Sequence, residues 1–106
     1  MAKPGITIPD DSPGKGPYLK KGDRVRVVYD IQLNRGDYVV KDDEGIWVIG
    51  DRNIIAGIRY GIEWMRAGGT RRFKASPHLC YGDQAVEGIP QEAVLICTIK
   101  RLELLG

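Results

Sequence analysis

Only one stretch of this chain carries a helical period. Ile54, Ile55, Ile58, Ile62 and Met65 recur at three- and four-residue steps, which lines up one apolar face of a single short helix. Asp51 or Asn53 offers a cap ahead of it, and Gly68-Gly69 offers a stop behind it. The rest of the ordered chain reads as strand. From Arg24 the residues Val25, Val27, Tyr29, Ile31 and Leu33 alternate with polar neighbours, the pattern of a half-buried antiparallel strand. Asn34-Arg35-Gly36-Asp37 turns the chain, and Tyr38-Val39-Val40 begins a return strand. Lys41-Asp42-Asp43-Glu44-Gly45 reads as a polar break before a second short strand, Ile46–Gly50. Thr70–Ser76 and Ala93–Leu104 supply the last two strands. One helix among strands joined by hairpin-like links predicts an α+β domain whose antiparallel sheet wraps that helix.

A chain of 106 residues is long enough for one core and one domain. Residues 1–18 contain Pro4, Pro9, Pro13 and Pro17, and read as an extended arm with at most a short edge strand near Ile6-Thr7-Ile8. The folded domain is expected over 19–106. No apolar run reaches the length of a membrane span, and Met1-Ala2-Lys3-Pro4-Gly5 opens no secretory signal, so the expected location is the cytoplasm. In that compartment Cys80 and Cys97 are expected as reduced, partly buried thiols. The net charge of +2 is too small to point to nucleic acid. The local basic groups, Lys20-Lys21 with Arg24 and Arg26, and Arg71-Arg72 with Lys74, read as solvated strand faces.

Several chemistries find no support in the residues. The lone His78 follows Pro77 in a turn and has no Ser or Cys nucleophile motif beside it, so it reads as a surface histidine. Gly14-Lys15-Gly16 is too short for a phosphate loop. Asp42-Asp43-Glu44 lacks the alternate spacing of a calcium loop and reads as a solvated acidic turn. No set of metal ligands or cofactor motif stands out.

The stretch Gly69-Thr70-Arg71-Arg72, then Ser76-Pro77-His78-Leu79-Cys80-Tyr81-Gly82, then Ile89-Pro90, is similar to FKBP-type peptidyl-prolyl isomerases. Those proteins carry a Gly-x-Arg-Arg strand, a Ser-Pro-x-x-Ala-Tyr-Gly turn and an Ile-Pro before the last strand. Further matching pieces are Lys21-Gly22-Asp23-x-Val25-x-Val27-x-Tyr29, Leu33-x-x-Gly36, Ile49-Gly50, Ile54-Ile55-x-Gly57, Gly61-Ile62-x-x-Met65 and Ala93-x-Leu95. Each is a weak pattern alone; their common order and spacing from about residue 19 to 105 makes the resemblance specific. It implies a twisted antiparallel sheet of about five strands around one short helix, and rotation of X-Pro bonds as the activity. The implied partners are proline-containing peptides or protein clients, met by a monomer without a cofactor, nucleic acid or membrane.

Carried over by position, the resemblance implies Tyr29 and Tyr81 as the hydroxyl-bearing residues of the site. Ile54 and Ile55 match the aliphatic pair before the helix, and Ile89 matches the aliphatic residue before the loop proline. The remaining pocket positions depart from the family. Its Phe-Asp pair falls on Val39-Val40, its floor Trp on Ile58, and the Phe of its last strand on Cys97. Another family Phe falls near Gly45, with Trp47 as the available substitute. The turn Ala is Cys80, and the second Pro of Ile-Pro-Pro is Gln91. The pocket so implied is aliphatic where the family's is aromatic. Two functions follow from it: a weak or selective isomerase, or an impaired proline-binding, chaperone or interaction module.

Overall fold

A computed structural model describes residues 3–105. Five strands form one antiparallel sheet: β1 (Ile6–Ser12), β2 (Arg24–Leu33), β3 (Tyr38–Val48), β4 (Thr70–Ala75) and β5 (Leu95–Leu105). Their order across the sheet is β1-β4-β5-β2-β3, so β5 is central and β1 and β3 are the edges. A single helix, α1 (Ala56–Gly61), packs on the concave side against β4 and β1. The α+β class and the sheet-around-helix arrangement are as the alternating pattern predicts.

The helix is shorter than its apolar period. Ile58, Ile62 and Met65 are all buried, but only six residues are α-helical. Beyond Gly61 the chain continues in turns, and Trp64 enters the left-handed region at φ 67°. Gly57 and Gly61 weaken the helix by propensity, yet contact demands them. A Cβ on Gly61 would lie 2.1 Å from the Phe73 ring, and one on Gly57 would lie 2.8 Å from Ala75 Cβ. The cap also differs from expectation. Ile55 occupies the N-cap without a side-chain bond, while Asp51 accepts the Asn53 N–H at 3.0 Å in a turn ahead of the helix. Gly68 lies in the turn before β4 and does not end the helix.

The polar break expected at 41–45 is instead strand. β3 runs unbroken from Tyr38 to Val48, with Asp43, Glu44 and Gly45 opposite Tyr29, Val28 and Val27. An edge strand shows charged side chains to solvent without cost, so acidity alone does not end it. Asp42 takes φ 52° at an irregularity of the ladder, and its N–H donates to Asp30 Oδ1 at 2.7 Å. Lys100 bridges Asp30 Oδ2 at 3.1 Å and also pairs with Asp42. That contact holds the Asp42 carboxyl below its ordinary range and raises the Lys100 ammonium.

The edge strand expected near 6–8 spans seven residues and pairs with β4, with a bulge between Thr7 and Asp10 that accommodates Pro9. Arg71 anchors it from below. Its buried guanidinium donates to both Asp11 oxygens at 3.0 and 3.2 Å, and to the carbonyls of Gly61 and Glu63 at 2.9 and 2.6 Å. Arg71 is therefore no solvated face residue, whereas Arg72 and Lys74 remain outside the core. Among the described residues no helix is long and apolar enough to cross a membrane.

Candidate functional site

Beneath the loop that joins β4 to β5, the concave face gathers most of the positions singled out in the sequence. Ser76 leads into a short 3-10 turn, Pro77–Leu79. The Gly82 N–H donates back to the Pro77 carbonyl at 2.8 Å, and Gly82 takes φ 57°. Gly82 then accepts the Glu92 N–H at 2.8 Å, and Val86 and Ile89 bridge each other, so both ends of the loop are tied down. Ile89 is buried with Leu33 and Leu95, and Val39, Ile55, Cys80 and Tyr81 pack against them. Tyr81, Val39, Ile55 and Ile89 thus share one cluster.

Its floor is continuous with the main core. Ile55, Ile58, Cys80 and Cys97 line a cavity together with Ile31, Phe73 and Leu95. The cavity holds about 10 Å³, room for one water and no more. Both cysteines are free thiols, as expected, Cys97 buried and Cys80 half-buried. Burial pushes the Cys80 thiol up to about 11. Burial first, then the Asp30 charge, takes Cys97 to about 12, so neither is a nucleophile at neutral pH.

Tyr29 and Trp47 form a separate wall. Their ring centroids are 4.8 Å apart at an interplanar angle of 53°. Gly45 leaves the space for this contact, since a Cβ there would lie 3.2 Å from Trp47 Nε1 and 3.7 Å from the Tyr29 ring. Tyr29 Oη donates to Asp43 Oδ2 at 3.1 Å. Burial, and then this bond, push the phenol up to about 12. Ile54 is half-buried and packs on the main core. Val40 pairs with Ile31 across the ladder but joins neither apolar cluster.

Asp43 is the residue that the sequence reading missed. A carboxylate does meet a tyrosine at this wall, three residues beyond Val40, the position where the resemblance expects one. The ladder explains the miss. Gln32 faces Tyr38, and that register continued without interruption would set Lys41 opposite Tyr29. Two irregularities, on either side of Ile31, shift the partner to Asp43. The one available signal was the excess of polar residues between Val40 and Ile46 over what a regular hairpin needs.

A five-stranded antiparallel sheet curled on one short helix, with an apolar cluster under the β4–β5 loop, defines the class of protein. The family described as FKBP-type peptidyl-prolyl cis-trans isomerase matches residues 16–102. Two proteins named FK506-binding protein 4 are similar over 103 residues. The one from Chaetomium thermophilum is 37% identical and the one from Saccharomyces cerevisiae 35%, each across 94% of this chain. This chain spans only 21% and 26% of their lengths. Among solved structures, AtFKBP13 superposes with a TM-score of 0.83 at 26% identity, over 99% of this chain and 95% of that one. FkpA from Escherichia coli gives 0.76 at 26% identity, over 95% of this chain and 46% of its own. The chain belongs to the FKBP-type peptidyl-prolyl cis-trans isomerase family.

Proposed function

We propose that this domain is a slow or selective peptidyl-prolyl isomerase, acting as a cytoplasmic monomer on X-Pro bonds of protein clients. The observation that carries this reading is the cluster that joins Tyr81 and Ile89 of the β4–β5 loop to Val39 and Ile55, with the Tyr29–Trp47 wall and its Asp43 bond on the adjoining main core. Rotation about a prolyl amide meets a barrier of ~18–20 kcal/mol because resonance keeps it planar. Twisting removes the resonance and makes the amide less polar, so a water-poor surface favours the twisted state. Ile54, Ile55, Ile58, Ile89, Val39 and Cys97 supply that surface in this reading, with Val40 at its margin. Tyr81 donates to the peptide carbonyl and holds the chain while the bond turns. Asp43 keeps the Tyr29 hydroxyl oriented along the wall. No nucleophile or general base is needed.

Refolding of a protein limited by prolyl isomerisation tests this directly. The uncatalysed step takes tens to hundreds of seconds, so modest acceleration is visible. Wild type is expected to shorten it, and Tyr81→Phe to remove most of the gain. A wild-type rate equal to that of buffer would defeat the enzymatic reading.

The small floor cavity favours a second reading, a module that holds proline-containing clients without useful turnover. At about 10 Å³ it does not admit a prolyl ring unless side chains move. In that case an Ala-Leu-Pro-Phe peptide shifts amide signals around Tyr81 while refolding stays at the buffer rate.

A further inference from the structure

Away from this site, Trp64 stands out. It is 69% exposed, and it is held outward by a left-handed backbone (φ 67°) that bulky residues rarely adopt. Beside Trp64 lies a cleft of about 310 Å³ with Leu19, Ile49 and Ile62 as its floor. Tyr60 and Trp64 form its aromatic sides, and Lys21 and Arg59 stand at its rim. No residue lining it takes part in the candidate isomerase site.

The charges around the cleft are unbalanced. Its one carboxylate, Glu63, is taken by Lys3, whose ammonium lies 3.7 Å from Glu63 Oε1 and 5.0 Å from the centre of the Tyr60 ring. Arg59 is steadied by a bond from Nε to the Ile54 carbonyl at 2.9 Å and lies 5.4 Å from the Tyr60 ring centre. Among the described residues, neither Arg59 nor Lys21 has a carboxylate within ion-pair distance. A cleft with an apolar floor, aromatic sides and two unpaired cations selects a particular ligand. That ligand carries one large apolar side chain flanked by carboxylates.

We propose that the Trp64 cleft is a docking surface for an acidic peptide segment of a partner protein, one that inserts an aromatic or large aliphatic side chain between Tyr60 and Trp64. The Arg59 fork and the Lys21 ammonium take the flanking carboxylates. Such a contact would bring a client or assembly partner to the domain and leave the isomerase face open.

The test uses the whole chain and an array of labelled nine-residue acidic peptides with a central Phe, Trp, Leu or Met. Matched arrays replace the acidic residues with Lys or with Ser. Fluorescence anisotropy should show saturable binding by acidic peptides, about tenfold tighter than the Lys set, and weakening as salt rises. Trp64→Ala should cost about tenfold in affinity, as truncation of a central aromatic anchor does. Lys21→Glu should cost several-fold, by charge reversal on an exposed residue that does not disturb the fold. Neither variant should change the rate of proline-limited refolding. The inference is overturned if no acidic peptide binds, if the Lys or Ser set binds equally well, or if Trp64→Ala leaves binding intact.

Discussion

Tyr29 concentrates the physical chemistry of the site in one side chain. Burial and the Asp43 carboxylate raise its phenol from 10.0 to about 12, so the folded state favours the neutral ring. This contribution to stability is complete below pH 10 and is lost as pH rises toward 12. Ultraviolet titration should therefore show one late-ionising tyrosine, absent from Tyr29→Phe. Asp43→Asn keeps an acceptor but removes the charge, so it should bring that ionisation back toward 10. If the wall serves the reaction, the same change should slow catalysed refolding several-fold. The variant that the resemblance alone would suggest, Val40→Asp, should act differently. Tyr29 already has a carboxylate, and Val40 lies outside both clusters, so its rate should stay within about twofold of wild type, the change expected where no transition-state contact is gained.

At the scale of elements, contact outweighs propensity where α1 meets the sheet. Gly61→Ala should gain less than about 1 kcal/mol of helix propensity. It also drives a methyl to within 2.1 Å of a Phe73 ring that is fully buried. Overpacking of that kind costs about 3 kcal/mol, so the net effect is destabilising. The urea midpoint should fall with little change in slope, and Phe73→Leu should recover part of the loss. The attachment of β1 depends on charge. Asp11→Ala removes the one carboxylate that pairs with the buried Arg71 among the described residues, and Arg71 keeps its two carbonyl acceptors. Asp11 is partly exposed, so the expected loss is about 2 kcal/mol, below that of a fully buried pair. Hydrogen exchange should find it as faster opening of β1, with β5 unaffected. Uniform protection of both strands in the variant would contradict this anchoring.

Across the whole molecule, the question is whether the groove is tuned for slow work or filled in. Ile58 is the deciding position, since it lines the 10 Å³ cavity between helix and sheet. Ile58→Trp adds far more volume than that cavity holds and should cost on the order of 1–3 kcal/mol. A faster refolding reaction despite that loss would mean that the floor opens outward and that a flat ring serves the peptide. A lower melting temperature with no gain in rate would mean that the position has become core. The first outcome is expected, since the isomerase reading places Ile58 on the surface that meets the peptide.

The fold class was legible in the sequence because burial has a period. Val25, Val27 and Leu33 are buried on one side of β2, and Ile58, Ile62 and Met65 are buried on one side of the helical stretch, as their spacing requires. The turn at 34–37 and the tied loop after Ser76-Pro77 were legible for the same local reasons. The length of α1 was not, because it depends on how closely Gly57 and Gly61 approach β4, and sequence spacing does not encode that distance. Nor was the continuity of β3, whose acidic residues are acceptable in a strand only because tertiary structure leaves it at an edge. The partner of Tyr29 was the least legible of all. Two slips of a ladder exchange Lys41 for Asp43, and such slips are set by the Asp30–Asp42–Lys100 contacts between three strands. Periodicity is a property of neighbours along the chain, whereas register across a bulge is decided by groups that meet only after folding.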